Sequence, residues 1–314
     1  MYNAEFKKMF LEQTDNAIYY ERQFNNFEED EERYQKDLYD FSADQIIASY
    51  KRIGTTSISF LFQVNNRNTK YANYALNQNV VKDGQNHYAV ITQETLVSCL
   101  DANGIQNSVI SKEKLKNLVG QLQNPMDKFL FFACFDGIDG KDHMEIVEFD
   151  YNKIDLNNKV AELYNGRMIP VSDELIMYAK ESSETYEYNA YMTNQNVAQR
   201  KQKLEGSGSW KVSARKNQTT INRYKSGQVY KTLAKCINWL DLPSGYITIY
   251  TLKMSGCIDY INTLAEKYGI SGKDVLYTNT ETMNLVQAKY SFITTQRSVF
   301  FKKYKEYLAG ADVE

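Results

Sequence analysis

Between residues 200 and 235 the chain sets ten basic side chains against one acidic one, Glu205, a local charge of +9. Arg200, Lys201, Lys203, Lys211, Arg215, Lys216, Arg223 and Lys225 stand among Ser, Thr, Asn, Gln, Tyr and Trp, as in SGSWKVSARKNQTTINRYKSGQVYK. Such a concentration attracts anions whatever the average charge of the molecule. The interleaved hydroxyls and amides are the groups that hydrogen-bond phosphate and sugar oxygens. No bulky apolar face accompanies the charge, as a lipid-binding helix would require. Nucleic acid is therefore the leading partner, and a solvated lysine-rich surface is the plain alternative.

Other candidate chemistry is thinner. Asp136, Asp139 and Asp142 in FDGIDGKD lack the D-x-D-x-D-G frame and the glutamate at the twelfth position, so they read as a loop rather than a calcium site. His143 has no partner histidine nearby and reads as a surface residue at a helix start. Gly206-Ser207-Gly208-Ser209 has no Walker lysine in register and reads as a flexible hairpin tip. Cys99, Cys134, Cys236 and Cys257 lie far apart with no CxxC, against a zinc knuckle or a disulfide framework. No metal or cofactor is expected. Trp210 suits a DNA-facing or packing place, and Trp239 a core one.

The elements that must position these groups fill 314 residues, enough for two domains. Apolar residues make up 43% and charged residues 24%, which excludes wholesale disorder. No apolar run approaches the ~20 residues of a membrane span, and the N-terminus has no secretory pattern, so the expected location is the cytoplasm, at the nucleoid, with no membrane partner. The net charge of −2 conceals an N-terminal segment, residues 1–44, with a charge of −7. Residues 1–36 read as an acidic arm or surface helix. Ser42 with Gln45 makes a capping box, and helices follow from Thr55–Ser57, Thr92 and Ser111. This predicts an all-helical domain over 1–110. In the second domain, 111–314, Asn124-Pro125 opens an almost wholly apolar helix, MDKFLFFACF. Asn165-Gly166 marks a hairpin, Ser172 caps a helix, YEYNAYM reads as a strand, and helices run to the C-terminus. The expected class is mainly α with one small antiparallel sheet.

This order of elements resembles the tyrosine recombinase (phage integrase) family, in which a helical, SAM-like core-binding domain and a helical catalytic domain clamp DNA. QNPMDKFLFFACFDGIDGKDHMEIVEFDYNKIDLNNKV resembles the family's box I region, with Glu145-Ile146 opening the helix after the glycine. ITIYTLKMSGCIDYINTLAEKYGI resembles box II, and ETMNLVQAKYSF the segment of the nucleophilic tyrosine. More narrowly, the chain resembles prophage master repressors that combine this fold with missing catalytic residues.

The departures from the family pattern shape the functional expectation. Gly137–Met144 contains no arginine where box I should supply one. Tyr250-Thr251-Leu252-Lys253 stands in place of His-x-Leu-Arg, and lysine lacks the bidentate fork of arginine. Tyr290 lies at a plausible place for the nucleophile, but the chain has 25 tyrosines. Tyr250, Lys253 and Tyr290 are thus vestigial positions. Losing several preorganised donors leaves a poor recombinase, whereas a clamp made of dispersed phosphate contacts survives. The resemblance then implies a sequence-specific DNA-binding repressor that maintains lysogeny without catalysis. Its partners would be a double-stranded DNA operator and a phage-encoded regulatory protein or peptide-linked antirepressor. An active recombinase with a divergent pocket is the alternative. In the first domain the expected DNA contacts are Lys51, Arg52, Arg67, Asn68 and Lys70, with Asn65 and Asn66 nearby; Lys253 joins the basic segment in the second.

Overall fold

The computed structural model describes residues 2–191, 201–213, 221–243 and 246–310, with the backbone alone at 212–213 and 221–226. The chain divides into two units, Met1–Gln106 and Asn107–Glu314.

The first unit is helical: α1 (Ala4–Leu11), α2 (Ala17–Tyr34), α3 (Ala43–Ile53), α4 (Ile58–Asn77), α5 (Gln93–Ser98) and α6 (Ala102–Ser108), the last crossing the boundary. The start signals work as their chemistry dictates. The Ser42 hydroxyl accepts from the Gln45 amide while the Gln45 side chain accepts from Ser42 N–H, and Ser57 and Thr92 cap α4 and α5.

Residues 1–36 are not an arm; they form α1 and α2, and α2 is a surface helix whose inner face is packed. Phe6, Phe10, Tyr20, Phe24 and Phe27 are buried, and the Phe10 ring meets Tyr20 and Tyr71 edge-on at 4.9 and 5.1 Å. Tyr20, Phe24 and Phe27 recur at helical spacing, so α2 has an apolar face beneath its charges. Part of the acidic block also turns inward. The fully buried Lys7 ammonium pairs with Glu31 and lies 3.3 Å from Asp37. One cation serves two carboxylates there. Burial, helped by Glu31 and opposed by Lys7, pushes the Asp37 carboxyl up to about 7.

The second unit runs α7 (Lys112–Gly120), α8 (Pro125–Phe135), α9 (Met144–Val147), β1 (Ile154–Asp155), β2 (Val160–Glu162), β3 (Met168–Pro170), α10 (Asp173–Glu184), β4 (Glu187–Asn189), β5 (Lys201–Glu205), β6 (Val212–Ser213), α11 (Ile221–Trp239), α12 (Ile249–Tyr268), α13 (Gly272–Tyr277), α14 (Thr280–Lys289) and α15 (Ile293–Tyr304). Its centre is α8, where Phe129, Leu130, Phe131 and Phe132 are wholly buried. Each contributes about 1.5–3 kcal/mol of burial. Helices α10, α11 and α12 pack around it.

Two small antiparallel sheets are present where one was expected, ordered β1-β2-β3 and β4-β5-β6. In the first, Ala161 pairs with Ile154 and Ile169, which places the Asn165-Gly166 turn at the tip of β2–β3. In the second, Glu187 pairs with Lys203 and Leu204 with Ser213.

Two local expectations are corrected. Trp239, expected in the core, is 39% exposed and lies against Tyr191 with ring centres 5.0 Å apart, whereas Trp210 is buried and takes the packing place of its two alternatives. The Gly206–Ser209 segment is pinned rather than free at its end: Ser209 N–H donates to Phe149 O at 3.1 Å and its hydroxyl to Ala179 O at 2.9 Å. Within the box II-like stretch, Ile249–Tyr268 form one helix, α12. Gly256 sits at its middle because α12 crosses α8 so closely that a Cβ there would overlap the Phe135 carbonyl oxygen.

Candidate functional site

Five pieces of the second unit converge at the end of α8: the loop Asp136–His143, α9, the β2–β3 tip, α12 and α14. The apolar helix must stop here, and Gly137 turns the chain with φ 82. A side chain at Gly137 would meet the Lys289 carbonyl oxygen at 2.7 Å, so the loop lies directly on α14.

Three cations meet three carboxylates in this centre. Arg167, just past the hairpin tip, donates from Nε to Glu145 Oε1 at 3.1 Å and from Nη2 to Glu145 Oε2 at 2.5 Å. Its Nη2 also donates to Gly137 O at 3.0 Å, and its Nη1 to Lys289 O at 2.8 Å and Ala288 O at 3.3 Å. A guanidinium has five N–H groups, and all of them are engaged within the protein. Lys253 of α12 lies 3.0 Å from Asp139 Oδ2. Lys289 of α14 lies 2.8 Å from Asp136 Oδ1, and both are almost completely buried. The second oxygen of Asp136 accepts from Ser172 N–H at 2.8 Å and its hydroxyl at 2.6 Å, tying α8 to the start of α10.

Asp139 also hydrogen-bonds His143 Nδ1. Burial works against the charge on Asp139, but the His143 hydrogen bond and the Lys253 charge outweigh it and hold the carboxyl below its ordinary value. His143 is not a surface residue: it is 9% exposed, in left-handed backbone, with its ring edge-on to Tyr230 at 4.6 Å. No group of three or more His, Cys, Asp and Glu is placed to hold a metal ion among the described residues. Nor is any helix there long and apolar enough to cross a membrane.

Tyr290 and Tyr250 part company. Tyr290 is 1% exposed and its hydroxyl donates to Phe135 O at 2.6 Å. Burial, together with the nearby Asp136 carboxylate, pushes its hydroxyl well above the ordinary tyrosine value. Tyr250, at the start of α12, is 47% exposed and lies beneath the Lys303 ammonium, 5.5 Å from the ring centre.

The expected DNA contacts fall into four groups. Lys51 and Lys70 are exposed, as are Lys201 and Lys203, which share a face of β5; Lys201 is paired with Glu187 at 2.8 Å. Arg67 lies over the Tyr19 ring at 5.5 Å and donates to Gln63 at 3.3 Å and Gln23 at 3.4 Å, with Lys70 on the same face of α4. Four others are held by partners within the protein. Arg52 grips Asp30 with Nε at 2.9 Å and Nη2 at 2.7 Å. Asn68 is 1% exposed and accepts from Gln23. Lys211 is 1% exposed, with its ammonium donating to Ser182, Ser183 and Thr185 carbonyls at 3.0, 2.6 and 2.8 Å, where it closes the end of α10. Lys253 is held by Asp139. Asn65, noted as a neighbour of the α4 contacts, is likewise buried, between the Tyr50 hydroxyl and Tyr88 O. Burial withdraws Asn65, Asn68 and Lys211 from any DNA surface. Arg200, Arg215 and Lys216 lie outside the described residues, and Arg223 and Lys225 fall where α11 is described by its backbone alone.

Arg167 was the residue that motif spacing missed. It stands 22 positions after its partner Glu145, far from the place where box I supplies its arginine. The available signal was its position immediately after Asn165-Gly166, at the tip of a hairpin that must fold back over the preceding loop.

A helical first unit, and a second in which α8, a hairpin, α12 and α14 converge on one centre, define a two-domain protein of integrase-like architecture. The chain belongs to the MrpR family: residues 1–77 match its N-terminal core-binding domain and residues 109–308 its C-terminal catalytic domain. It is similar to the SPbeta prophage-derived uncharacterized protein YopR of Bacillus subtilis (strain 168), with 23% identity over 300 residues that cover 92% of this chain and 91% of that protein.

Proposed function

We propose that the protein is a sequence-specific DNA-binding transcriptional repressor that maintains prophage lysogeny without cutting DNA. The observation that carries this is the pairing of Arg167 with Glu145, Lys253 with Asp139 and Lys289 with Asp136. Phosphoryl transfer at a DNA backbone depends on preorganised cations aimed at the scissile phosphate. Here these charges are neutralised inside the protein, and the Tyr290 hydroxyl is committed to a backbone carbonyl in the core. The basic segment around Arg215 and Lys216 supports DNA as the partner, because dispersed phosphate contacts need no catalytic pocket. The prophage derivation in the name of its Bacillus relative supports the biological setting. The protein would act in the cytoplasm at the nucleoid, with release assigned to a phage-encoded regulatory protein or a peptide-linked antirepressor.

The alternative, an active recombinase with a divergent pocket, is favoured by one observation: the matched family domain is described as catalytic. Incubation with a pool of nicked prophage fragments that trap covalent intermediates separates the two. A repressor yields complexes that dissociate in detergent. A covalent adduct that disappears in Tyr290→Phe would establish the recombinase.

A further inference from the structure

The three ion pairs at the centre differ in how far they are closed off. Lys289 and Asp136 are 6% and 4% exposed and form part of the core. Arg167 has no N–H left to give. Lys253 and Asp139 are 20% and 18% exposed, so this pair reaches the surface. The lysine ammonium has three donors and lies over the Phe292 ring, 5.4 Å from Nζ to the ring centre. Asp139 is fixed independently of Lys253. Its backbone N–H donates to Glu145 Oε2 at 2.9 Å, its other carboxylate oxygen bonds His143, and His143 is wedged against Tyr230. The carboxylate is therefore preorganised and the lysine comes to it.

We propose that Asp139 is a charge lock on Lys253, which denies the DNA backbone a phosphate contact at this centre and leaves affinity to contacts made elsewhere. The inference rests on the DNA-binding function proposed above. A phosphate approaching Lys253 meets a carboxylate that already holds the ammonium and repels the newcomer. A contact to phosphate carries no sequence information, so suppressing one lowers binding to random DNA and to operator alike and preserves the margin between them. Asp139 thus sets the strength of binding to all sequences by preventing a contact.

The test uses the full-length protein and fluorescence anisotropy with a random-sequence duplex and with prophage promoter DNA, each titrated over salt. D139N keeps the shape and an acceptor for His143 but releases the lysine. It is expected to tighten random-sequence binding by about 5–10-fold near 0.1 M salt and to steepen the log–log salt slope by about one, the signature of one added phosphate contact. K253M alone is expected to leave affinity within about twofold and the slope unchanged. D139N/K253M is expected to return to the wild-type slope. Circular dichroism checks that D139N folds; if it does not, K253M decides the matter by itself. A K253M slope flatter by about one would show that Lys253 already touches phosphate and overturn the lock. A gain in D139N that persists in the double variant would show simple repulsion by Asp139, and overturn it too. If D139N folds and binds as the wild type does, the lock is wrong while DNA binding stands. If the wild type shows no salt-dependent binding to either duplex, the DNA-binding function and the lock fail together.

Discussion

The hydroxyl of Tyr290 donates to the carbonyl oxygen of Phe135 at 2.6 Å, which ties the start of the last helical segment to the end of the central helix α8. Tyr290 is thereby a structural strut. Its acceptor is one of the carbonyls that a helix leaves unpaired at its C-terminus, and burial makes that bond costly to lose.

Tyr290→Phe is expected to fold with a loss of about 1–3 kcal/mol, the cost of leaving a buried carbonyl without its donor. Its DNA binding at temperatures well below unfolding should be unchanged. Urea denaturation and an anisotropy titration check the two halves. A drop in DNA affinity without a drop in stability would place the hydroxyl at the DNA instead.

Gly256→Ala tests the same junction from α12. A methyl group there would overlap the Phe135 carbonyl oxygen, and backbone on both sides leaves little room for relief. The expected loss is about 3 kcal/mol or more, read as a lower denaturation midpoint. A neutral substitution would mean that α12 and α8 lie further apart than described.

Asp37 makes the first unit sensitive to pH. Its carboxyl is raised from 3.8 to about 7, by burial first and by Glu31, with Lys7 pulling the other way. The folded chain therefore keeps a proton that the unfolded chain gives up. The stability this provides is complete below about pH 4 and is lost as pH rises through about 7. Glu31 is raised by burial and acts in the same direction. D37N carries no such proton, so its stability relative to the wild type should increase between pH 5 and pH 8. Paired denaturation curves at those two values check the sign; a D37N stability that falls relative to the wild type as pH rises would contradict it.

Arg215 and Lys216 lie in the basic segment outside the described residues, and their role rests on charge. Replacing both with alanine should weaken binding to every sequence and flatten the log–log salt slope by about one per lost phosphate contact. An unchanged slope would show that the segment does not face DNA.

Local chemistry made much of the fold legible. Ser42, Thr92, Ser111 and Ser172 each cap the helix that follows, because a side-chain oxygen one residue before a helix satisfies an amide a turn later. Asn165-Gly166 turned the hairpin as that pair does. What local patterns do not carry is long-range pairing. The acidic block of α2 looked solvated because Lys7 and Arg52, which neutralise Glu31 and Asp30, come from other helices. Lys211 and Asn68 looked like DNA contacts for the same reason: polar residues on a surface and polar residues satisfied in a core are alike in composition. The centre itself was half visible. The absence of arginine from Gly137–Met144 could be read directly, but the three ion pairs bring together residues from separate segments and only the fold unites them.

A genome-wide map of DNA occupancy in a lysogen tests whether this integrase-like protein recognises DNA sequence. The expected result is a small number of discrete sites that share a sequence and overlap prophage promoters. Uniform coverage, or no enrichment over a strain lacking the protein, would contradict it.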